Sequence, residues 1–139
     1  MDLFQVFDIA GSAMSAQTTR MNVTASNMAN ADSLSSSSGE TYRARHPVFA
    51  TVLQGRMGGS NSPASGVRVA GIVESDAPLR REYRPDHPLS DEEGYVFAPN
   101  VNTVEEMANM ISASRSYQTN VEVINASKQM LVRTLQMGQ

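Results

Sequence analysis

The sequence predicts an α+β chain in which long N- and C-terminal helices pair as a coiled coil, with a small β-rich middle domain inserted between them. Three observations carry this reading. All six prolines, at positions 47, 63, 78, 85, 88 and 99, lie between His46 and Asn100. Proline removes a backbone donor and breaks helix interiors, so only the two ends can hold long helices. Both ends repeat apolar residues every seven positions, the spacing of a helical packing seam. The middle instead holds short β-branched and aromatic runs punctuated by Gly, Pro and Ser. The chain therefore divides at 1–30, 31–100 and 101–139.

Residues 3–30 read as the first helix, capped near Asp2. Phe7, Met14, Met21 and Met28 recur every seven residues, and Leu3, Ala10, Gln17 and Thr24 form a parallel row four positions earlier. Such a helix is about 40 Å long at 1.5 Å per residue. Its polar residues are short and uncharged, so its stability depends on packing against a partner. Residues 101–137 read as the second helix. Thr103 is the expected cap, with Glu106 completing a capping box, and Gly138 is the expected stop. Its expected stripe is Met107, Met110, Ser114, Tyr117, Val121, Ile124, Lys128, Leu131 and Leu135. Val123, Met130 and Met137 make a second row, which points to two packing partners rather than one.

Between the helices, Thr41–Leu53 reads as an edge strand containing Pro47. Gln54–Gly66 reads as a mobile Gly/Ser loop, and Val67–Glu74 as the clearest strand. Leu79–Arg84 and Gly94–Ala98 read as partner strands joined by the Pro- and acid-rich 85–93 segment. Ser33–Gly39 reads as a flexible tether. So small a module has little core of its own.

Composition excludes several functions. The 139 residues carry a net charge of −3, no Cys and no Trp, with only four Tyr and four Phe. There is no thiolate chemistry and no basic footprint for nucleic acid. No apolar run approaches the roughly 18 residues of a membrane span. The first basic residue is Arg20, so the usual charged start of a signal peptide is missing.

No catalytic constellation emerges. His46 and His87 each precede a proline and read as turn residues, although Asp86 and Asp91 lie near His87. The Asp91-Glu92-Glu93-Gly94 run lacks the alternating oxygens and distal Glu of a calcium loop. Gly58-Gly59 lacks the Lys-Ser/Thr of a phosphate loop. Arg80, Arg81 and Arg84, set among Glu82 and Asp86, read as a salt-bridged strand face. No metal or other cofactor is expected, and the chain reads as a non-enzyme. The unusual feature is the pair of weakly charged, apolar-striped ends, which mark association surfaces.

The motifs now become specific. Asn22-Val-Thr-Ala-Ser-Asn27-Met-Ala-Asn30-Ala-Asp-Ser resembles the N-terminal signature of bacterial flagellar rod and hook axial proteins. Asp8-Ile-Ala-Gly-Ser-Ala13 precedes it, and Tyr42-Arg43 follows. Gly94-Tyr-Val96, Pro99-Asn-Val101 and Ser112-Ala-Ser-Arg-Ser-Tyr-Gln118-Thr-Asn-Val-Glu122 are similar to the proximal-rod type of that family. The insertion of Asp32, the Ser run and Gly39-Glu40-Thr41 after the Asn motif departs from many rod proteins.

The resemblance implies a structural subunit of the basal-body proximal rod, the drive shaft of bacterial motility. Its terminal helices would line a self-assembled helical tube and its middle domain would face outward. Implied partners are copies of itself, other proximal and distal rod proteins, the basal-body ring adaptor and the flagellar type III export apparatus. Implied location is the rod where it spans the periplasm, reached by export without a cleaved signal peptide. Nucleic acid and membrane insertion are not implied. The expected assembly interface comprises Phe7, Met14, Met21, Met28, Asn27 and Asn30 at one end. At the other it comprises Met107, Met110, Tyr117, Val121, Ile124, Leu131 and Leu135. Asn27 and Asn30 read first as caps of one helix end; the alternative is that Asn27 also bonds the backbone of a neighbouring subunit and fixes the angle at which the middle domain leaves the helices. The same stripes would also suit a helix-binding adaptor or export chaperone. A small hydrolase built on Asp86, His87 and Asp91 would need a concave pocket.

Overall fold

A computed structural model describes residues 3–54 and 64–138. The elements run α1 (Leu3–Ala29), β1 (Arg45–Gln54), β2 (Ala64–Glu74), β3 (Arg80–Tyr83), β4 (Tyr95–Ala98) and α2 (Thr103–Met137). This is the α+β arrangement expected from the placement of the prolines. None of the helices described is long and apolar enough to cross a membrane.

The two helices pack along each other. The end of α1 lies beside the start of α2, because Ala31, Ala44 and Val101 form one buried cluster there with Tyr42 against it. Farther along, Arg20 donates to Asn109 Oδ1 at 2.8 Å. The helices therefore run antiparallel. Leu3 lies 17 residues before Arg20, and 17 residues beyond Asn109 is Ala126. The end of α2, from about Lys128 onward, thus extends past the start of α1.

The helix cap departs from expectation. Asn102, not Thr103, is the N-cap: its Oδ1 accepts from Val104 N–H at 3.1 Å and Glu105 N–H at 3.4 Å. Asn is at least as good a cap as Thr, and the shift by one residue frees Glu106 from the capping box. Glu105 and Glu106 still stand in the first turn, where the helix dipole favours acids. Gly138 closes the helix, its N–H reaching Leu135 O.

The middle contains two antiparallel pairs, β1–β2 and β3–β4. The first is a hairpin with a bulge between Val48 and Phe49. Pro47 is tolerated because every strand of a two-stranded sheet is an edge. An isolated hairpin is marginal in water, and this one is stabilised by lying on α1. Ser12 Oγ accepts from Val67 N–H at 3.1 Å while donating to Ile9 O. A Cβ at Gly66 would meet that Ser12 hydroxyl at 3.1 Å, a tight contact that glycine avoids. The loop expected over Gln54–Gly66 is shorter: Gln54 and Ala64–Gly66 belong to the strands, and 55–63 lie outside the described residues.

The second pair is held by charge and aromatic contacts. Glu82 pairs with Arg84 at 2.9 Å and with Arg80 at 3.9 Å. Arg81 reaches Asp91 at 3.3 Å and Glu93 at 3.5 Å. Its guanidinium also stacks 4.6 Å from the Tyr95 ring centre. Asp91, rather than the expected Asp86, supplies the acid that completes this face. Gly94 has φ +83°, and a Cβ there would lie 2.9 Å from Tyr83 Cε2. This explains why the Gly-Tyr-Val motif begins with glycine.

The Ser run is not a loose tether. Ser35 exchanges backbone hydrogen bonds with Phe97, both at 3.0 Å, so it forms a bridge beside β4. Thr41 Oγ1 donates to Ser37 O at 2.7 Å and also contacts the Ser35 hydroxyl. Short hydroxyl side chains bond nearby backbone readily, and here they fold the segment onto the sheet.

Candidate assembly interface

On α1 the Met row is only half-buried: Phe7, Met14, Met21 and Met28 all keep partial exposure. The deepest residues are Ala10, Ala16, Val23, Thr24 and Asn27. On α2 the buried positions are Glu106, Ala113 and Ser127, which repeat every seven residues with half-buried Asn120 between them. Met110, Tyr117, Ile124 and Leu131 form a half-buried row beside them, with Val121 also half-buried. The buried positions are largely small on α1, with Ala10 and Ala16, and mixed on α2, where Ala113 and Ser127 alternate with Glu106 and Asn120. Bulky Met and Tyr then flank the line of contact rather than fill it.

The expected stripe is therefore split by the fold. Met110, Tyr117, Val121, Ile124 and Leu131 stand together along the helix pair. Met107 and Leu135 are exposed, at 51% and 70%. The second row is also exposed, through Val123, Met130 and Met137. Val104, Ile111 and Val132 extend the exposed apolar surface. Gln17 adds a buried Oε1 without a hydrogen-bond partner. The helix pair satisfies one seam internally and leaves others open, as the two apolar rows of α2 implied.

Asn27 is 1% exposed and works inside the chain. Its Nδ2 donates to Arg45 O at 2.8 Å, and its Oδ1 accepts from Arg45 N–H at 2.9 Å. The side-chain amide thereby pairs with β1 as a strand would. Tyr42 Oη donates to the same Oδ1 at 2.9 Å. Within the chain Asn27 is more than a helix cap, since the backbone it bonds is that of β1. Asn30 closes α1, its Nδ2 donating to Ser26 O at 2.9 Å.

Asn100 is a second clamp that sequence reading missed. Its Oδ1 accepts from Ala44 N–H at 2.8 Å, and its Nδ2 donates to Ala77 O at 2.9 Å and Ser75 O at 3.3 Å. Two asparagines thus fix where the strands leave the helix pair. The Tyr42-Arg43 and Pro99-Asn-Val101 motifs have their physical meaning at this joint.

The catalytic alternative gains no geometry. His87 Nδ1 accepts from Leu89 N–H at 3.1 Å, and Asp91 accepts from Tyr95 N–H at 2.7 Å and Glu93 N–H at 3.0 Å. The Tyr95 bond above all holds the Asp91 carboxyl below the ordinary carboxylate range; desolvation opposes it, and Glu93 N–H and Arg81 add to the lowering. These groups serve turns. His46 lies within β1 rather than in a turn. Among the described residues no three His, Cys, Asp or Glu side chains cluster as metal ligands would.

The comparisons match this architecture. Residues 7–33 match a family model described as flagella basal body rod protein. Residues 92–137 match one described as flagellar basal body rod FlgEFG protein C-terminal. The flagellar basal-body rod protein FlgC of Yersinia enterocolitica is 51% identical over 139 residues, all of both chains. The chain belongs to the flagellar basal-body rod protein family. FlgC of Escherichia coli O157:H7 is 50% identical, again over all of both chains. FlgC of Bacillus subtilis is 35% identical over 149 aligned positions, covering 99% of each. The chain is a structural subunit of the rod in the flagellar basal body. The adaptor or chaperone reading is not favoured. The two family matches fall on α1 with its Asn joint and on the β4–α2 segment, the two ends that the helix pair brings together.

Proposed function

We propose that the chain is a proximal-rod subunit whose exposed α2 rows and half-buried α1 Met row pack against neighbouring subunits in a helical tube. The observation that carries this is the set of exposed apolar residues on α2, Val104, Met107 and Ile111 near its start and Val123, Met130, Val132, Leu135 and Met137 toward its end, on helices that are otherwise weakly charged. Exposed large apolar residues recurring on one helix mark an association surface. In this reading 1–30 and 101–139 form the axial layer and 31–100 the outer one. Neighbours are further copies, other proximal and distal rod proteins and the ring adaptor. The subunit passes through the flagellar type III export apparatus without cleavage and lies where the rod spans the periplasm. The absence of cysteine, and seams built from small residues, suit a chain that must unfold for export. No catalytic step is assigned to it.

The test is complementation. A bacterium lacking its own equivalent subunit is given this chain, and its purified basal bodies are examined by mass spectrometry. Intact chain in basal bodies, with the N-terminal peptide uncleaved and motility restored, is the expected result. Chain found only in the cytoplasm, bound to an export substrate, would support the chaperone reading instead.

A further inference from the structure

Gln17 Oε1 is the one buried side-chain oxygen or nitrogen without a hydrogen-bond partner among the described residues. It belongs to the contact between the helices. Gln17 stands three residues before Arg20, Ala113 stands four after Asn109, and Arg20 is bonded to Asn109. In an antiparallel pair this sets Gln17 against Ala113, which is 0% exposed. The Ala113 methyl offers no donor. A buried acceptor left unpaired weakens the packing around it.

The layers beyond are weak as well. Seven residues farther along each helix Ala10 comes opposite Asn120, and seven more bring Leu3 opposite Ser127. Ala10 and Ser127 are buried, but neither layer joins two large apolar side chains. Asn120 turns its amide to its own helix, Nδ2 donating to Ser116 O at 2.8 Å. The two helices are also anchored unequally. α1 is tied to the hairpin at two points, Ser12 to Val67 N–H and Asn27 to the Arg45 backbone. Among the described residues α2 packs on α1 and on no strand. Past Ala113, α2 is therefore held by its contact with α1.

We propose that Gln17 is a built-in release point: from Ala113 onward α2 detaches from α1 and becomes free to pack on the helices of another subunit, while the Asn27 and Asn100 joint holds. The inference rests on the rod-subunit reading. A polar residue in a helix seam gives up stability for control over pairing. Here it keeps the free subunit's helix pair loose enough to exchange partners. Removing the carbonyl gives a tighter monomer that assembles less well. A residue that served packing alone would move both properties in the same direction.

Gln17→Met tests this, because it keeps the side chain's length and nearly its volume while removing the carbonyl. Amide exchange of the purified subunit should slow about tenfold over 113–137, as expected when one unpaired buried group is removed, with little change over 103–110. In the complemented bacterium the same variant should lower basal-body yield severalfold. Gln17→Leu should repeat both effects, which guards against a peculiarity of one replacement. Exchange over 113–137 that is unchanged or faster in both variants would overturn the proposal, because the carbonyl would then be satisfied in solution. Slower exchange with a wild-type basal-body yield would also overturn it, because release would then serve no step of assembly. Wild-type chain absent from basal bodies would sink the rod reading itself. Wild-type chain present, with both variants assembling normally, would sink only the release point.

Discussion

The helix pair and the strand region are stabilised in opposite ways. All five ion pairs among the described residues involve the strands or the turn between β3 and β4, and none lies on a helix. The β3–β4 module satisfies its charges internally and stacks Arg81 on Tyr95 and Phe97. The helix pair buries few large side chains and leaves large apolar ones in the open. Exposed ion pairs contribute little, typically about 0–1 kcal/mol each, but they keep a surface soluble and self-contained. Apolar rows without cover stabilise only when something else covers them. One region is thus finished within the monomer, while the other keeps apolar rows that the proposed assembly would cover.

The comparison can be broken first at the joint between the regions. Asn27→Ala removes both bonds to the Arg45 backbone and the Tyr42 bond. Each group left buried and unpaired costs about 1–3 kcal/mol, so this should be the most destabilising change here. Urea denaturation of the purified subunit measures it; a loss under about 0.5 kcal/mol would show that water replaces the amide at that position. Next is the helix contact. Ala113 is fully buried, and Ala113→Leu should cost about 1–3 kcal/mol through overpacking. A neutral result in the same assay would mean that the helices separate without loss, and that the seam belongs to a neighbour instead.

The cap gives a smaller and sharper test. Asn102→Ala should cost about 1 kcal/mol and Thr103→Ala should change little; the reverse order would restore the capping box expected from sequence. The strand module has a pH signature. The Asp91 carboxyl is held low by Tyr95 N–H, so its contribution is present above the unfolded value and is lost as pH falls through the lowered folded value. Carbon-detected NMR titration should place the Asp91 midpoint below the reference of 3.8. The turn around Gly94 should stay closed until then. A midpoint at or above the reference would remove the Tyr95 bond from the account.

Much of this architecture was legible because proline and heptad spacing are local signals. The helix bounds, the strand pairs and the shared Arg80–Arg84 charge face all follow from residues near one another in the chain. The joint was not legible. Asn27 meets Arg45 and Asn100 meets Ala44 across long sequence separations, and an asparagine that mimics a strand looks like any cap in one dimension. The row of α2 that is buried within the chain was hidden for a different reason. Large apolar residues drew attention to Met107 and Leu135, while the row in contact is Glu106, Ala113, Asn120 and Ser127. Its period of seven was visible, but its composition looked like a solvent face. The Ser run read as a tether because its bonds run to Phe97, some 60 residues away.

The central claim is that the open apolar rows of α2 exist for assembly and not for the monomer's own stability. Leu135→Asp tests it most directly, because Leu135 is 70% exposed and the change sits outside the internal seam. Thermal unfolding of the purified variant should match wild type within about 0.5 kcal/mol, as exposed substitutions usually do. In the complemented bacterium the same variant should be exported yet yield almost no basal bodies. A variant that builds basal bodies at the wild-type level would contradict the account.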